Sequence, residues 1–178
     1  LILAGMPVFD SIVHSFGTAG TGGFGIKGDS IAGYNVACQW IITVFMLLFG
    51  VNFNAYYYLA FGKMKKAFGM EEVRWYFIIV FAAIALIFFN ILGMYATPFD
   101  ALTDAAFQVG TIITTTGYAT ADFNLWPALS KGVLVLLMFV GACAGSTGGG
   151  IKVSRIVILG KAVVREMNSY IHPKSIRN

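Results

Sequence analysis

Two short segments carry the residue types that can hold a bare ion. Thr21-Gly22-Gly23-Phe24-Gly25 and Thr115-Thr116-Gly117-Tyr118-Ala119 share one pattern: Thr, any residue, Gly, an aromatic, a small residue. A shift of 94 positions lays Asp10 to Gly25 over Asp104 to Ala119, so the likeness extends upstream of the motif. Consecutive backbone carbonyls and a threonine hydroxyl supply oxygens at short range without a fixed negative charge. That environment suits a hard alkali cation shedding its water. Glycine permits the restricted φ that keeps neighbouring carbonyls on one side, and the aromatic is placed to wedge the strand against its surroundings.

Other chemistries fit less well. Gly20-Thr21-Gly22-Gly23-Phe24-Gly25 matches G-x-G-x-x-G, but no strand precedes it and Gln39 and Trp40 stand where a ribose-binding acid would be needed. In the run Gly145 to Ser154, Ile151 separates Gly150 from Lys152, so it does not form a phosphate loop. The run reads as a flexible non-helical loop, with close helix packing through small residues as the alternative. The aspartates are scattered, and neither His14 nor His172 has a Ser or Cys partner at a catalytic spacing, which argues against an enzyme. Cys38 and Cys143 read as buried free thiols; no Cys/His spacing for a transition metal exists, and no cofactor is called for. His14 aligns with Gln108 and reads as a hydrogen-bonded helix side chain. Asp29 and Asp122 read equally as cation-concentrating groups or as solvated loop acids.

The elements that must position these segments follow from composition. Of the 178 residues 58% are hydrophobic and 11% charged, against roughly 25% charged in soluble domains. Three uncharged stretches, Ala32 to Gly62, Trp75 to Ala96 and Gly132 to Ile151, approach or exceed the ~20 residues of a spanning helix. Gly145-Ser146-Thr147-Gly148-Gly149-Gly150 interrupts the third, and the apolar pattern resumes from Ile151 to Val164. Ten of the twelve basic residues lie in Lys63 to Arg74 or Lys152 to Arg177, which marks those segments as cytoplasmic. All five aspartates fall in the other segments, which therefore face outward. The outward regions are too long and apolar for simple loops and must dip back into the membrane. Asp100 to Ile113 reads as a short re-entrant helix whose carbonyl end favours a cation.

The expected fold is an all-α membrane protein built of repeated units: helix, re-entrant pore helix, filter strand, helix. Residues 1–62 hold the pore helix, filter strand and second helix of one unit, and 63–74 a basic cytoplasmic linker. Residues 75–165 hold a complete unit with a broken second helix, and 166–178 a cytoplasmic tail.

Three runs carry a resemblance to a known family: Phe16 to Gly25, Thr114 to Phe123, and Gly141-Ala142-Cys143-Ala144-Gly145-Ser146-Thr147-Gly148-Gly149-Gly150-Ile151-Lys152-Val153-Ser154-Arg155. Val164-Arg165-Glu166 and Ile171-His172-Pro173-Lys174 add to it. The chain resembles the Trk/Ktr/HKT superfamily of potassium transporters along essentially its whole length, most like the bacterial TrkH and TrkG branch. The resemblance implies a fold of the potassium-channel-like pore type, four units around a pseudo-fourfold pore, of which this chain supplies the second filter strand and the third unit. The first unit would precede Leu1 and the fourth follow Asn178.

In that frame potassium is held at Thr21, Gly22, Gly23 and Phe24 and at Thr115, Thr116, Gly117 and Tyr118. Gly145, Ser146, Thr147, Gly148, Gly149, Gly150 and Lys152 form an intramembrane gate. Gly22 in place of Thr116 leaves the second strand with less side-chain oxygen. Lys152 and Arg155 read either as snorkelling anchors or as contacts of the gate and a regulator. The implied activity is potassium transport across the inner membrane by a multi-pass homodimer. Its partners would be membrane lipid and a cytoplasmic nucleotide-binding regulatory subunit of TrkA/KtrA type, not nucleic acid. Anionic lipid is the competing explanation for the basic segments. The alternatives are a sodium-coupled secondary transporter whose re-entrant hairpins bind an organic anion, and a non-conducting membrane scaffold.

Overall fold

The structure, a computed structural model, describes residues 1–171; His172, Pro173 and Lys174, used in the resemblance, lie outside the described residues with the rest of the tail. Among the described residues the architecture is all-helical. Helix α1 (Val8–Ala19) follows Pro7 and stops at Gly20. Helix α2 (Val36–Phe49) is capped by Asn35, whose side chain accepts the Cys38 N–H at 2.8 Å.

The expected span Ala32 to Gly62 is not one straight helix. It breaks at Gly50 and restarts as α3 (Phe53–Ala60), the two axes meeting at 92°. Asn52 makes the corner, its side-chain oxygen accepting the Asn54 N–H at 2.9 Å as the cap of α3. A Cβ at Gly50 would strike the Tyr76 hydroxyl and lie 2.8 Å from a Thr114 methyl, so a larger residue would push the corner off its neighbours.

The linker Lys63 to Arg74 is itself mostly helical. It holds α4 (Met64–Gly69) and the first turn of α5 (Glu71–Ile91), which a short 3₁₀ turn extends to Met94. Glu71 to Met94, 24 residues, is long and apolar enough to cross a membrane.

Helix α6 (Pro98–Ile113) begins two residues before the expected Asp100. Thr97 caps it by accepting the Asp100 N–H at 3.2 Å, and Pro98 occupies the first turn, where a missing N–H is harmless. Helix α7 (Ala128–Val140) ends at Gly141 with φ 68°, four residues earlier than the expected break at Gly145. A non-helical loop then runs to Lys152, and α8 (Val153–Ile171) follows.

The core is centred on α6, ten of whose sixteen residues are buried. Ala101, Ala105 and Val109 recur every fourth position and pack in one cluster with Tyr76, Val80, Ala83, Ile87 and Ile91 of α5 and Leu134 and Leu137 of α7. A second cluster gathers Cys38, Ile42 and Met46 of α2 around Phe107 of α6 and Tyr118. Cys38 and Cys143 are both free and buried. Phe81, Phe89 and Phe139 point outward, as suits helices whose outer surface meets lipid. Between α5 and α7, Ser130 Oγ donates to Asn90 Oδ1 at 2.7 Å, an interhelical bond for the polar group within the apolar stretch.

Candidate functional site

The two motif segments leave their helices in the same way. At the end of α1, Gly20, Thr21 and Gly22 donate their N–H groups to the carbonyls of Phe16, Thr18 and Gly17 at 2.9, 3.3 and 2.8 Å. At the end of α6, Thr114, Thr115 and Thr116 donate to Gly110, Ile112 and Thr111 at 3.2, 3.0 and 2.9 Å. Each bond maps onto its counterpart by the 94-position shift. The backbone repeats as well. Thr21 and Thr115 turn left-handed at φ 50° and 57°, and Gly23 and Gly117 at 68° and 91°. A threonine in that region is strained, so its recurrence at equivalent positions marks a conformation held by its surroundings.

The two segments then meet. A Cβ at Gly23 would collide with the Thr116 carbonyl oxygen and lie 2.9 Å from its carbon. Glycine is required here by φ and by close approach together. The strands converge at Gly23 and Thr116, an arrangement that concentrates peptide oxygens in one small region.

The side chains around the twin turns are not equivalent. Tyr118 is only 1% exposed. It wedges against α1, its hydroxyl 3.3 Å from His14 Nδ1 and packed over Gly17. Phe24, its counterpart, is 80% exposed and wedges nothing among the described residues. His14 is thus the hydrogen-bonded helix side chain expected, and Gln108 plays the same part by donating from Nε2 to the Ala121 carbonyl at 3.0 Å. Thr116 Oγ1 lies 2.8 Å from Thr114 Oγ1, so the extra hydroxyl of this strand is engaged in a buried pair.

The outward aspartates are largely tied. Asp10 accepts from the Tyr34 hydroxyl at 2.6 Å, Asp104 from Thr120 Oγ1 at 2.8 Å, and Asp122 caps the turn at Phe123.

Directly against the twin turns lies the glycine-rich loop. It folds back on the end of α7: Ile151 and Lys152 donate to the Phe139 and Val140 carbonyls at 3.2 and 3.1 Å, and Ala142 donates to Gly149 at 3.4 Å. Its glycines are there because the chain has no room. A Cβ at Gly150 would lie 2.7 Å from Gly141 Cα, and one at Gly148 would lie 2.6 Å from Ala142 Cβ and 3.0 Å from the Thr114 carbonyl. Thr21 Oγ1 donates to the Thr147 carbonyl at 3.0 Å, and the Gly149 N–H donates to Thr115 Oγ1 at 2.7 Å. Lys152, itself left-handed at φ 80°, turns its ammonium back onto the Gly148 carbonyl. That contact sets Lys152 on the loop, while Arg155 is exposed on α8. The structure thus brings the motif residues of both segments and the loop into one region, the Phe24 ring standing exposed in this part of the protein.

One residue of this region escaped the sequence reading. Glu72, in the first turn of α5, is half-buried and accepts from the Ala144 N–H at 2.5 Å, the Ser154 N–H at 3.3 Å and Asn52 Nδ2 at 3.1 Å. Its only signal in sequence is a carboxylate beside a basic segment, at the mouth of an apolar run.

The family described as TrkH: Cation transport protein matches residues 2–178. The Trk system potassium uptake protein TrkH of Salmonella typhimurium is 36% identical over 184 residues, covering 99% of this chain and 37% of that protein. TrkG of Escherichia coli is 34% identical over 178 residues, covering 98% of this chain and 36% of that protein. The crystal structure of the potassium transporter TrkH from Vibrio parahaemolyticus superposes with a TM-score of 0.91 at 35% identity, over 98% of this chain and 39% of that one. The chain spans a little over a third of the length of the curated relatives it matches. With an all-helical membrane fold, twin re-entrant turns and a family match along nearly all of its length, the chain belongs to the TrkH family of cation transport proteins.

Proposed function

We propose that this chain forms the central part of a potassium-translocating subunit. The observation that carries this reading is the meeting of the two left-handed turns, Thr21 to Gly23 and Thr115 to Gly117, at the Gly23–Thr116 contact. In it, the carbonyls of Thr21, Gly22, Gly23 and Phe24 and of Thr115, Thr116, Gly117 and Tyr118 line the filter and replace the hydration shell of a potassium ion. Gly145, Ser146, Thr147, Gly148, Gly149, Gly150 and Lys152 form the gate, a reading supported by the hydrogen bonds of their loop to both filter threonines. Helices α1 and α6 end at the filter, their carbonyl ends favouring a cation. The ion is cargo, and the reading calls for no cofactor and no catalysis.

The relatives are potassium uptake proteins by name, which gives no support to an organic-anion carrier. Vesicles containing the complete protein, with its flanking sequence, are expected to take up rubidium in competition with potassium and much less with sodium. Absence of uptake, or uptake indifferent to potassium, overturns the reading.

The protein belongs in this reading to the inner membrane, as a multi-pass homodimer. The basic segments Lys63 to Arg74 and Lys152 to Arg177 meet a nucleotide-binding regulatory subunit of TrkA/KtrA type on the cytoplasmic side. Support comes from the clustering of basic residues there and from the relatives' designation as parts of a Trk system. Copurification of the complete protein with such a subunit, weakened when Lys63, Lys65 and Lys66 are changed to Gln, is the expected result. Binding unaffected by those changes would leave anionic lipid as the explanation of this cluster.

A further inference from the structure

Between α5 and the glycine-rich loop, one carboxylate gathers three hydrogen-bond donors from three separate elements. Glu72 Oε1 accepts from the N–H groups of Ala144 and Ser154, which stand on the two sides of the Gly145 to Gly150 run. Glu72 Oε2 accepts from Asn52 at the α2–α3 corner. The Asn52 amide cannot flip to offer its oxygen, because that oxygen already accepts the Asn54 N–H at 2.9 Å. The Ser154 N–H belongs to the first turn of α8, where N–H groups lack partners within the helix and the helix dipole favours negative charge.

The surroundings of Glu72 therefore offer donors only. A carboxylate matches them with two acceptor oxygens and no donor of its own, whereas an amide of the same shape would turn an NH₂ against one of them. The same corner is tied to the loop by two backbone bonds, Cys143 N–H to Gly50 O at 3.0 Å and Phe53 N–H to Gly145 O at 3.1 Å. Within the loop Gly141, Gly145, Gly150 and Lys152 all have positive φ. A segment so far from ordinary backbone conformations keeps its shape through contacts from outside.

We propose that Glu72 is the positioning residue of the gate: its carboxylate clamps both ends of the glycine-rich loop and holds the loop against the filter threonines in the closed pore. This rests on the reading of the loop as a gate. Neighbouring Glu71 does something different. It points away to an exposed ion pair with Lys161 at 2.5 Å and touches neither end of the loop.

The test is single-channel recording of the complete protein in lipid bilayers. Glu72→Gln keeps the side-chain shape and loses the charge and one acceptor. It is expected to raise open probability about tenfold, the scale of one lost charge-assisted hydrogen bond, with the potassium-to-sodium permeability ratio unchanged. Glu72→Asp keeps an acceptor-only anion on a shorter stem and should fall between wild type and Gln. Glu71→Gln should match wild type. A packing role would reverse the order, leaving the isosteric Gln silent and the shorter Asp disruptive, and that result overturns the proposal. So does a Glu72→Gln protein that does not fold, since Glu72 would then serve folding and not gating. A conducting wild type with a silent Glu72→Gln sinks the clamp alone, whereas a wild type that carries no potassium current sinks the pore reading beneath it.

Discussion

Thr21 and Thr115, 94 positions apart, share a left-handed backbone and both bond through their hydroxyls to the one glycine-rich loop. Thr21 donates to the Thr147 carbonyl, and Thr115 accepts from the Gly149 N–H. The twin turns and the loop are thereby tied by two side chains that the internal repeat makes equivalent.

Thr21→Val and Thr115→Val remove these bonds while keeping side-chain volume. Each bond is worth about 1 kcal/mol, so each change is expected to raise open probability roughly fivefold, and the pair more than either alone. Single-channel recording of the complete protein checks this; an unchanged closed state in the double variant would mean that the loop does not lean on the filter.

Gly23 and Gly117, the two turn glycines of the proposed filter, should respond differently to the same substitution. Gly117 has open space where a Cβ would go, so Gly117→Ser meets only left-handed strain. At about 1–2 kcal/mol that strain should lower the potassium-to-sodium permeability ratio by roughly tenfold. Gly23→Ser adds a collision with the Thr116 carbonyl and should disturb both strands at once. Flux assays with the two ions are expected to rank Gly23→Ser as the more damaging.

Gly17 and Tyr118 form a tight pair across two units. A Cβ at Gly17 would strike the Tyr118 hydroxyl yet clear the ring carbon that bears it at 3.4 Å. Gly17→Ala is expected to lower the melting temperature of the detergent-solubilised complete protein. Tyr118→Phe alone loses the bond to His14, at about 1 kcal/mol. The double variant should be more stable than the sum of the singles implies, because the added methyl then has room. Strict additivity would mean that the two residues do not touch.

Deleting two of Gly148, Gly149 and Gly150 shortens the loop where it bonds to Ala142 and Thr115. The expected outcome is higher conductance or looser control of opening in the complete protein, with selectivity retained because the filter turns are bonded to their own helices. A wild-type open probability after the deletion would remove the gate role.

What the sequence by itself determined is whatever depends on local chemistry and on periodicity. The repeat at a shift of 94 is legible because a left-handed turn requires glycine, or a residue strained into it, at fixed offsets; the structure returns the same offsets as φ values at Thr21, Gly23, Thr115 and Gly117. The helical class and the end of α6 at Ile113 follow from apolar composition and a run of good helix formers, again local properties.

The tertiary structure alone decided how these pieces meet. The 92° corner after Phe49 lies inside a stretch that reads as one span, since Gly50 and Asn52 declare a break only once Tyr76 and Thr114 press on the corner. That Tyr118 leans on α1, in the preceding unit, is likewise a contact between repeats that no local window of sequence declares. Glu72 carried no motif at all. Its three donors come from residues 20, 72 and 82 positions away, and a contact of that range is written in the packing of helices and not in any window of the chain.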